Sequence, residues 1–193
     1  MSKPLPETAS QTAGPYLHIG CMPNAAGIAG VFPQDLGAQM LTDAIPGPRI
    51  EISGKIFDGA GAPLRDAMIE LWQADASGRY GSPGFTGWAR KATDVETGIW
   101  RLKTIRPGTV RIGQDTVMAP HITLWIVARG INTGLHTRMY FPEDARVHTS
   151  DPALAQVSPA DRVRTLIAWA DGLGSYHFDI HLQGPDETVF FDV

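Results

Sequence analysis

Arg49-Ile50-Glu51-Ile52-Ser53-Gly54-Lys55-Ile56 is the stretch whose reading decides the fold. Ile50, Ile52 and Ile56 alternate with Glu51, Ser53 and Lys55, the period-two pattern of a strand with one face in a core and one in water. Asp58-Gly59 and Gly61 follow as a turn. Downstream, Ala67 to Ala74 is apolar on both faces apart from Glu70, as an interior strand is. Trp100 and Leu102 alternate with Arg101 and Lys103 before a Pro107-Gly108 turn, and His121 to Ala128 is the most apolar run. Leu135, Thr137, Met139 and Phe141 alternate with His136, Arg138 and Tyr140. Tyr176, Phe178, Ile180 and Leu182 alternate with His177, Asp179 and His181, and Thr188 to Val193 closes the chain. Seven or so strands separated by turns predict an all-β, two-sheet sandwich of one domain over residues 1–193, with short helices confined to insertions.

Two stretches read as helical. One is a short segment around Gln34 to Leu41. The other starts at Ser158-Pro159-Ala160-Asp161, with Ser158 as N-cap and Pro159 in the first turn. Residues 1–48 are proline-rich and poor in β-branched runs, and they read as an N-terminal arm that packs on a partner chain.

The bulk properties narrow the function classes. The 193 residues are 43% hydrophobic and 19% charged, with 21 glycines and 15 prolines spread along the chain, which suits short strands and turns and excludes wholesale disorder. A formal charge of -4 and a pI near 5.8 leave no basic footprint for nucleic acid. The single cysteine, Cys21, cannot form an internal disulfide. The polar start carries no signal-peptide pattern, and Ile122 to Ala128 is too short to span a bilayer. A cytoplasmic protein without membrane association is expected.

The six histidines raise the question of a metal. His177, Asp179 and His181 share a strand face, but neighbours on one face are ~7 Å apart and the outer two ~13 Å, so all three cannot hold one ion. A solvated strand face is the simpler reading. His121 opens the most buried strand, and its next same-face position is Thr123, a poor transition-metal ligand; a hydrogen-bonded structural histidine is expected. No nucleophile elbow, phosphate loop or Cys-His pair is present, and Gly27 to Gly30 lacks the strand-before, helix-after setting of a dinucleotide site.

Several segments, in order, resemble the intradiol ring-cleaving dioxygenases. They are Ser10-Gln11-Thr12-Ala13-Gly14-Pro15-Tyr16, preceded by Glu7-Thr8; Ile52-Ser53-Gly54 through Ile69-Glu70-Leu71-Trp72-Gln73-Ala74-Asp75 to Gly78-Arg79-Tyr80; and Pro107-Gly108 followed by Ala119-Pro120-His121-Ile122. Within that family, Ala128-Arg129-Gly130-Ile131-Asn132, His136 to Phe141 and Glu187 to Phe191 are similar to the alpha chains of heteromeric members that act on 3,4-dihydroxybenzoate (protocatechuate). The resemblance implies a ferric iron held by two tyrosinates and two histidines, and O2-dependent cleavage of the substrate ring to 3-carboxy-cis,cis-muconate.

Matched position by position, the family's His-x-His reads His121-Ile122-Thr123 here. The tyrosine two residues after the Pro-Gly turn is Val110. The loop Gly81 to Trp88, which carries the other tyrosine in the family, has none, and Tyr80 matches a non-ligand tyrosine. The resemblance therefore implies a chain with no metal ligand set and no catalytic residue of its own. Its expected partner is a homologous, iron-bearing beta chain in a higher alpha-beta oligomer, with Fe(III) bound by that partner. It also implies that Thr12, Gly14, Pro15 and Arg129 line the substrate pocket, Arg129 either facing the substrate's carboxylate or forming an intersubunit salt bridge. Two other readings stay open: a self-sufficient intradiol dioxygenase with ligands elsewhere, and a non-enzymatic sandwich module that binds a ligand or protein.

Overall fold

The computed structural model describes residues 11–42 and 44–192. Ser10, Thr8 and Glu7 of the first motif lie outside the described residues.

The Arg49–Phe57 strand (β1) is the axis of the first sheet, and its burial alternates along its length as its isoleucines predict. Ile99–Ile105 (β4) pairs with it antiparallel on one side. On the other side lie Ser175–His177 (β10) and Ile180–His181 (β11), both parallel to it, and Trp169–Ala170 (β9) extends the sheet beyond β10. The second sheet runs in the order Trp88–Ala92 (β3), Met68–Gln73 (β2), His121–Val127 (β7), Leu135–Tyr140 (β8), each pair antiparallel. Val110–Ile112 (β5) and Thr116–Met118 (β6) form a separate hairpin.

Both sheets bury one face in a shared core. Ile52, Ile56, Trp100 and Leu102 come from the first sheet and Ile69, Leu71, Leu124 and Ile126 from the second, all essentially inaccessible to water. Complete burial of each such side chain contributes about 1.5–3 kcal/mol. Gln73 ties the sheets at one buried point: its amide donates to Ile105 and Ala74 carbonyls and its oxygen accepts from the Thr104 hydroxyl at 2.7 Å. A buried amide with every group paired fixes the sheets' relative register without an orphaned polar atom.

The last strand read from sequence is two strands. Between β10 and β11 the Asp179 carboxylate accepts the Lys55 N–H at 2.8 Å, taking the place of a backbone partner. Opposite this break, β1 carries Gly54, where a Cβ would stand 1.8 Å from the Phe178 carbonyl oxygen. The two backbones approach that closely only because position 54 has no side chain.

Both helix expectations need correction. Residues 34–41 form turns, because Gly37 gives its carbonyl to the Arg90 N–H on edge strand β3 and Asp35 folds back to accept the N–H groups of Asn24 and Ala25. The arm's helix is instead Leu17–Cys21 (α1). Ser158 caps nothing: Pro159 is extended, and a 3-10 helix begins at Ala160 and runs to Leu166. A short α-helix, Ala145–His148 (α2), follows β8. Thr188 to Asp192 forms no strand but bridges β8 through Phe191 and His136. Met40 and Ile45 of the arm segment are buried in the chain's own core, whereas Ile28, Val31, Phe32 and Leu36 are exposed.

Candidate active-site surfaces at the two ends of β7

Strand β7 is interior to its sheet, so its register is fixed on both flanks, and its two ends hold different chemistry. At the start, His121 faces Tyr140 of β8, and Thr123, on the same face, lies between Trp72 of β2 and Arg138 of β8. His121 is buried, and its Nδ1 lies 2.7 Å from the Ala119 carbonyl. A carbonyl only accepts, so the ring proton is on Nδ1 and the lone pair on Nε2. That lone pair points toward the Tyr80 hydroxyl at 3.5 Å, and Tyr80 stacks on Trp72. Burial pushes the His121 pKa down to about 4, and the Arg138 charge pushes the same way. Burial raises both the Tyr80 and Tyr140 phenols, so they stay protonated.

Asp151 supports this end from behind. Its fully buried carboxylate accepts the N–H groups of Ala119, Ala153 and Leu154 and the Tyr140 hydroxyl. Arg138 reaches Tyr140 and the Met118 sulfur and lies over the Phe191 ring.

These residues do not fit a ferric ion. Val110 is packed in an apolar cluster with Ala74 and Met118. Thr123 offers a neutral hydroxyl, the nearby phenols are held protonated, and a guanidinium already supplies positive charge to the face. Among the described residues no group of three His, Cys, Asp or Glu side chains could hold a metal. His121 alone is one neutral donor, too few to retain iron against water.

The histidine row on the other sheet is dispersed as well. His177 pairs with Asp179 at 3.0 Å, while His181 stacks on Phe57.

The far end of β7 is about 20 Å away at ~3.3 Å per residue. There the strand runs into the turn Ala128-Arg129-Gly130-Ile131, closed by Ile131 N–H to the Ala128 carbonyl at 3.2 Å. Gly130 has φ +87°, the left-handed value that the third position of such a turn requires. Thr12 of the arm sits on this turn: the Gly130 N–H donates to its hydroxyl at 2.8 Å, and the hydroxyl donates to the Ala128 carbonyl at 3.4 Å. Arg129 projects beside it, mostly exposed, and pairs with Asp66 at 3.1 Å. Gly14 (φ +70°) and the exposed Pro15 follow, with Gly14 within about 7 Å of Thr12 by chain reach. Thr12 and the Arg129 turn thus meet at one end of β7, with Gly14 and Pro15 following along the chain. Asp66, Arg138 and Asp151 were not singled out from sequence; each has a partner distant in the chain, Arg129, Phe191 and Ala119 respectively, that no local pattern marks.

The family model described as Dioxygenase matches residues 29–184, and the chain belongs to that dioxygenase family. It is 43% identical to the protocatechuate 3,4-dioxygenase alpha chain of Pseudomonas putida, over 97% of both chains. It is also 32% identical to the protocatechuate 3,4-dioxygenase beta chain of Burkholderia cepacia, over 82% of this chain and 75% of that one. Among solved structures, the dioxygenase domain of a dioxygenase carbohydrate-binding protein fusion from Streptomyces sp. SirexAA-E superposes with a TM-score of 0.56 at 27% identity, covering 79% of this chain and 88% of the other. The all-β sandwich and the dioxygenase class are those the sequence implies.

Proposed function

We propose that this chain is the metal-free, alpha-type subunit of a heteromeric protocatechuate 3,4-dioxygenase, which cleaves 3,4-dihydroxybenzoate with O2 to 3-carboxy-cis,cis-muconate. The observation that carries this reading is the contrast along β7: a lost ligand set at His121 and an assembled arm-and-arginine cluster at Arg129. Its partner is a homologous beta chain holding Fe(III), in an assembly of several alpha-beta units. The iron's role, Lewis-acid activation of a catecholate, belongs to that partner.

This chain's share is the wall of a common pocket. Gly14 brings backbone close to the ligand, Pro15 stiffens the segment, and Arg129 offers a guanidinium to the substrate's carboxylate. No helix among the described residues is long and apolar enough to cross a membrane. With a single free cysteine, Cys21, we place the protein in the reducing cytoplasm.

Expression alone and together with a homologue bearing all four ligands tests the reading. The chain alone is expected to purify without stoichiometric iron, colour or activity, and the pair to carry all three. Iron and turnover in the isolated chain would establish a self-sufficient enzyme. A chain that never associates with the homologue would be a binding module.

A further inference from the structure

We infer that Thr12 is a positioning residue, a latch that locks the arm to the Arg129 turn so that both enter the shared pocket as one unit, with Asp66 fixing the guanidinium. The inference rests on the function proposed above and re-reads Thr12, expected from resemblance only to line the pocket. Its hydroxyl is already used twice. In a four-residue turn closed between Ala128 and Ile131, the N–H of the third residue has no partner inside the turn. Here that donor is Gly130, and the Thr12 oxygen accepts it at 2.8 Å, while the hydroxyl proton goes to the carbonyl that closes the turn. A hydroxyl placed to accept from one turn amide and donate to the turn carbonyl fixes the arm's register on this turn, and only serine or threonine supplies both functions at that reach.

Arg129 sits between these two anchors, with its backbone in the latched turn. One terminal nitrogen of its head pairs with Asp66, whose side chain is largely buried at 16% exposure, while the arginine side chain is 63% exposed. The remaining guanidinium N–H groups stay in the open. A planar donor fork held at one corner is preorganised for a carboxylate at another, and holding it removes the rotamer entropy that binding would otherwise cost. The specificity this serves is for a catechol bearing an acid group, over catechol itself.

The test compares Thr12→Val, Thr12→Ser and Asp66→Asn in the complex with the iron-bearing chain, on protocatechuate and on unsubstituted catechol. Thr12→Val keeps shape and loses both hydrogen bonds. It is expected to raise KM for protocatechuate about fivefold, the equivalent of one net hydrogen bond, with a smaller change in kcat and a smaller loss on catechol. Thr12→Ser restores the KM. Asp66→Asn raises the same KM and provides the comparison if Thr12→Val does not assemble. A Thr12→Val or Asp66→Asn complex with wild-type KM, a lowered KM in Asp66→Asn, or equal losses on both substrates overturns the inference. Failure of the wild-type pair to assemble or bind iron instead overturns the function proposed above, so the two failures are distinguishable.

Discussion

His121 Nε2 and the Tyr80 hydroxyl face each other at 3.5 Å, a neutral imidazole against a protonated phenol, with the Arg138 charge acting on both. In a ferric site the phenol would be ionised and the cation would be the metal. Here the cation is a side chain: burial and Arg138 together keep the imidazole neutral, while burial keeps the phenol protonated against the pull of Arg138.

Restoring a single ligand should therefore fail to restore iron. Thr123→His places a second imidazole on the His121 face, and Val110→Tyr returns a phenol, but Arg138 still stands across from position 123. Neither variant, nor the two combined, is expected to take up stoichiometric ferric iron. Metal analysis and a search for a tyrosinate charge-transfer band check this.

The buried histidine gives stability a defined pH dependence. Its folded pKa of about 4 lies below the ordinary 6.5, so between these values the unfolded chain takes up a proton that the folded chain does not. Stability contributed by this group is complete above pH 6.5 and is lost as pH falls toward 4, by up to about 3 kcal/mol. Urea titrations at pH 7 and pH 4.5 are expected to differ less in His121→Gln than in the wild type; equal slopes would contradict the assignment.

Asp151 is the anchor whose removal should be felt most at this end. Asp151→Ala strands the N–H groups of Ala119, Ala153 and Leu154, which at about 1 kcal/mol or more each amounts to at least about 3 kcal/mol. A loss of unfolding free energy in urea of less than a third of that would show that water replaces the carboxylate.

Gly54→Ala is expected to prevent folding of the first sheet, since its Cβ would overlap the Phe178 carbonyl oxygen and β10 and β11 would have to leave β1. Overpacking that cannot relax costs about 1–3 kcal/mol or more. Soluble yield and circular dichroism of the variant report it directly.

Arg129→Ala in the complex should raise KM for the acid substrate about tenfold and lower kcat far less, the pattern of a group that binds ground and transition states alike. Unchanged kinetics would leave Arg129 as a partner of Asp66 alone.

The sandwich was legible wherever one face of a strand is dry. β1, β2, β4, β7 and β8 announce themselves by alternation or by an unbroken apolar run. β3 did not, because it is an edge strand whose Arg90 and Lys91 pair with a carboxylate and a loop carbonyl instead of a core. β5, β6 and β9 are too short to show a period. The expected helix over residues 34–41 failed because a sheet edge competed for its backbone groups.

Family motifs marked Thr12 and Arg129, but nothing local announced that they meet: Thr12 and Gly130 are 118 positions apart, and what the Thr12 hydroxyl meets on the turn is backbone, which carries no mark in the sequence. Asp66 was invisible because its partner Arg129 lies far along the chain.

Strand β7, zippered on both sides, carries a consequence for how such a chain changes over generations. Its two ends are mechanically one object, and the arm is fastened to the Arg129 end through Thr12. Replacements around His121 and Thr123 can accumulate so long as each leaves the pairing with β2 and β8 intact. A single-residue insertion within the strand would rotate every side chain to the opposite face and carry the arm's foothold away with it. The His121 end of the strand is thus more tolerant of a changed side chain than of a changed length.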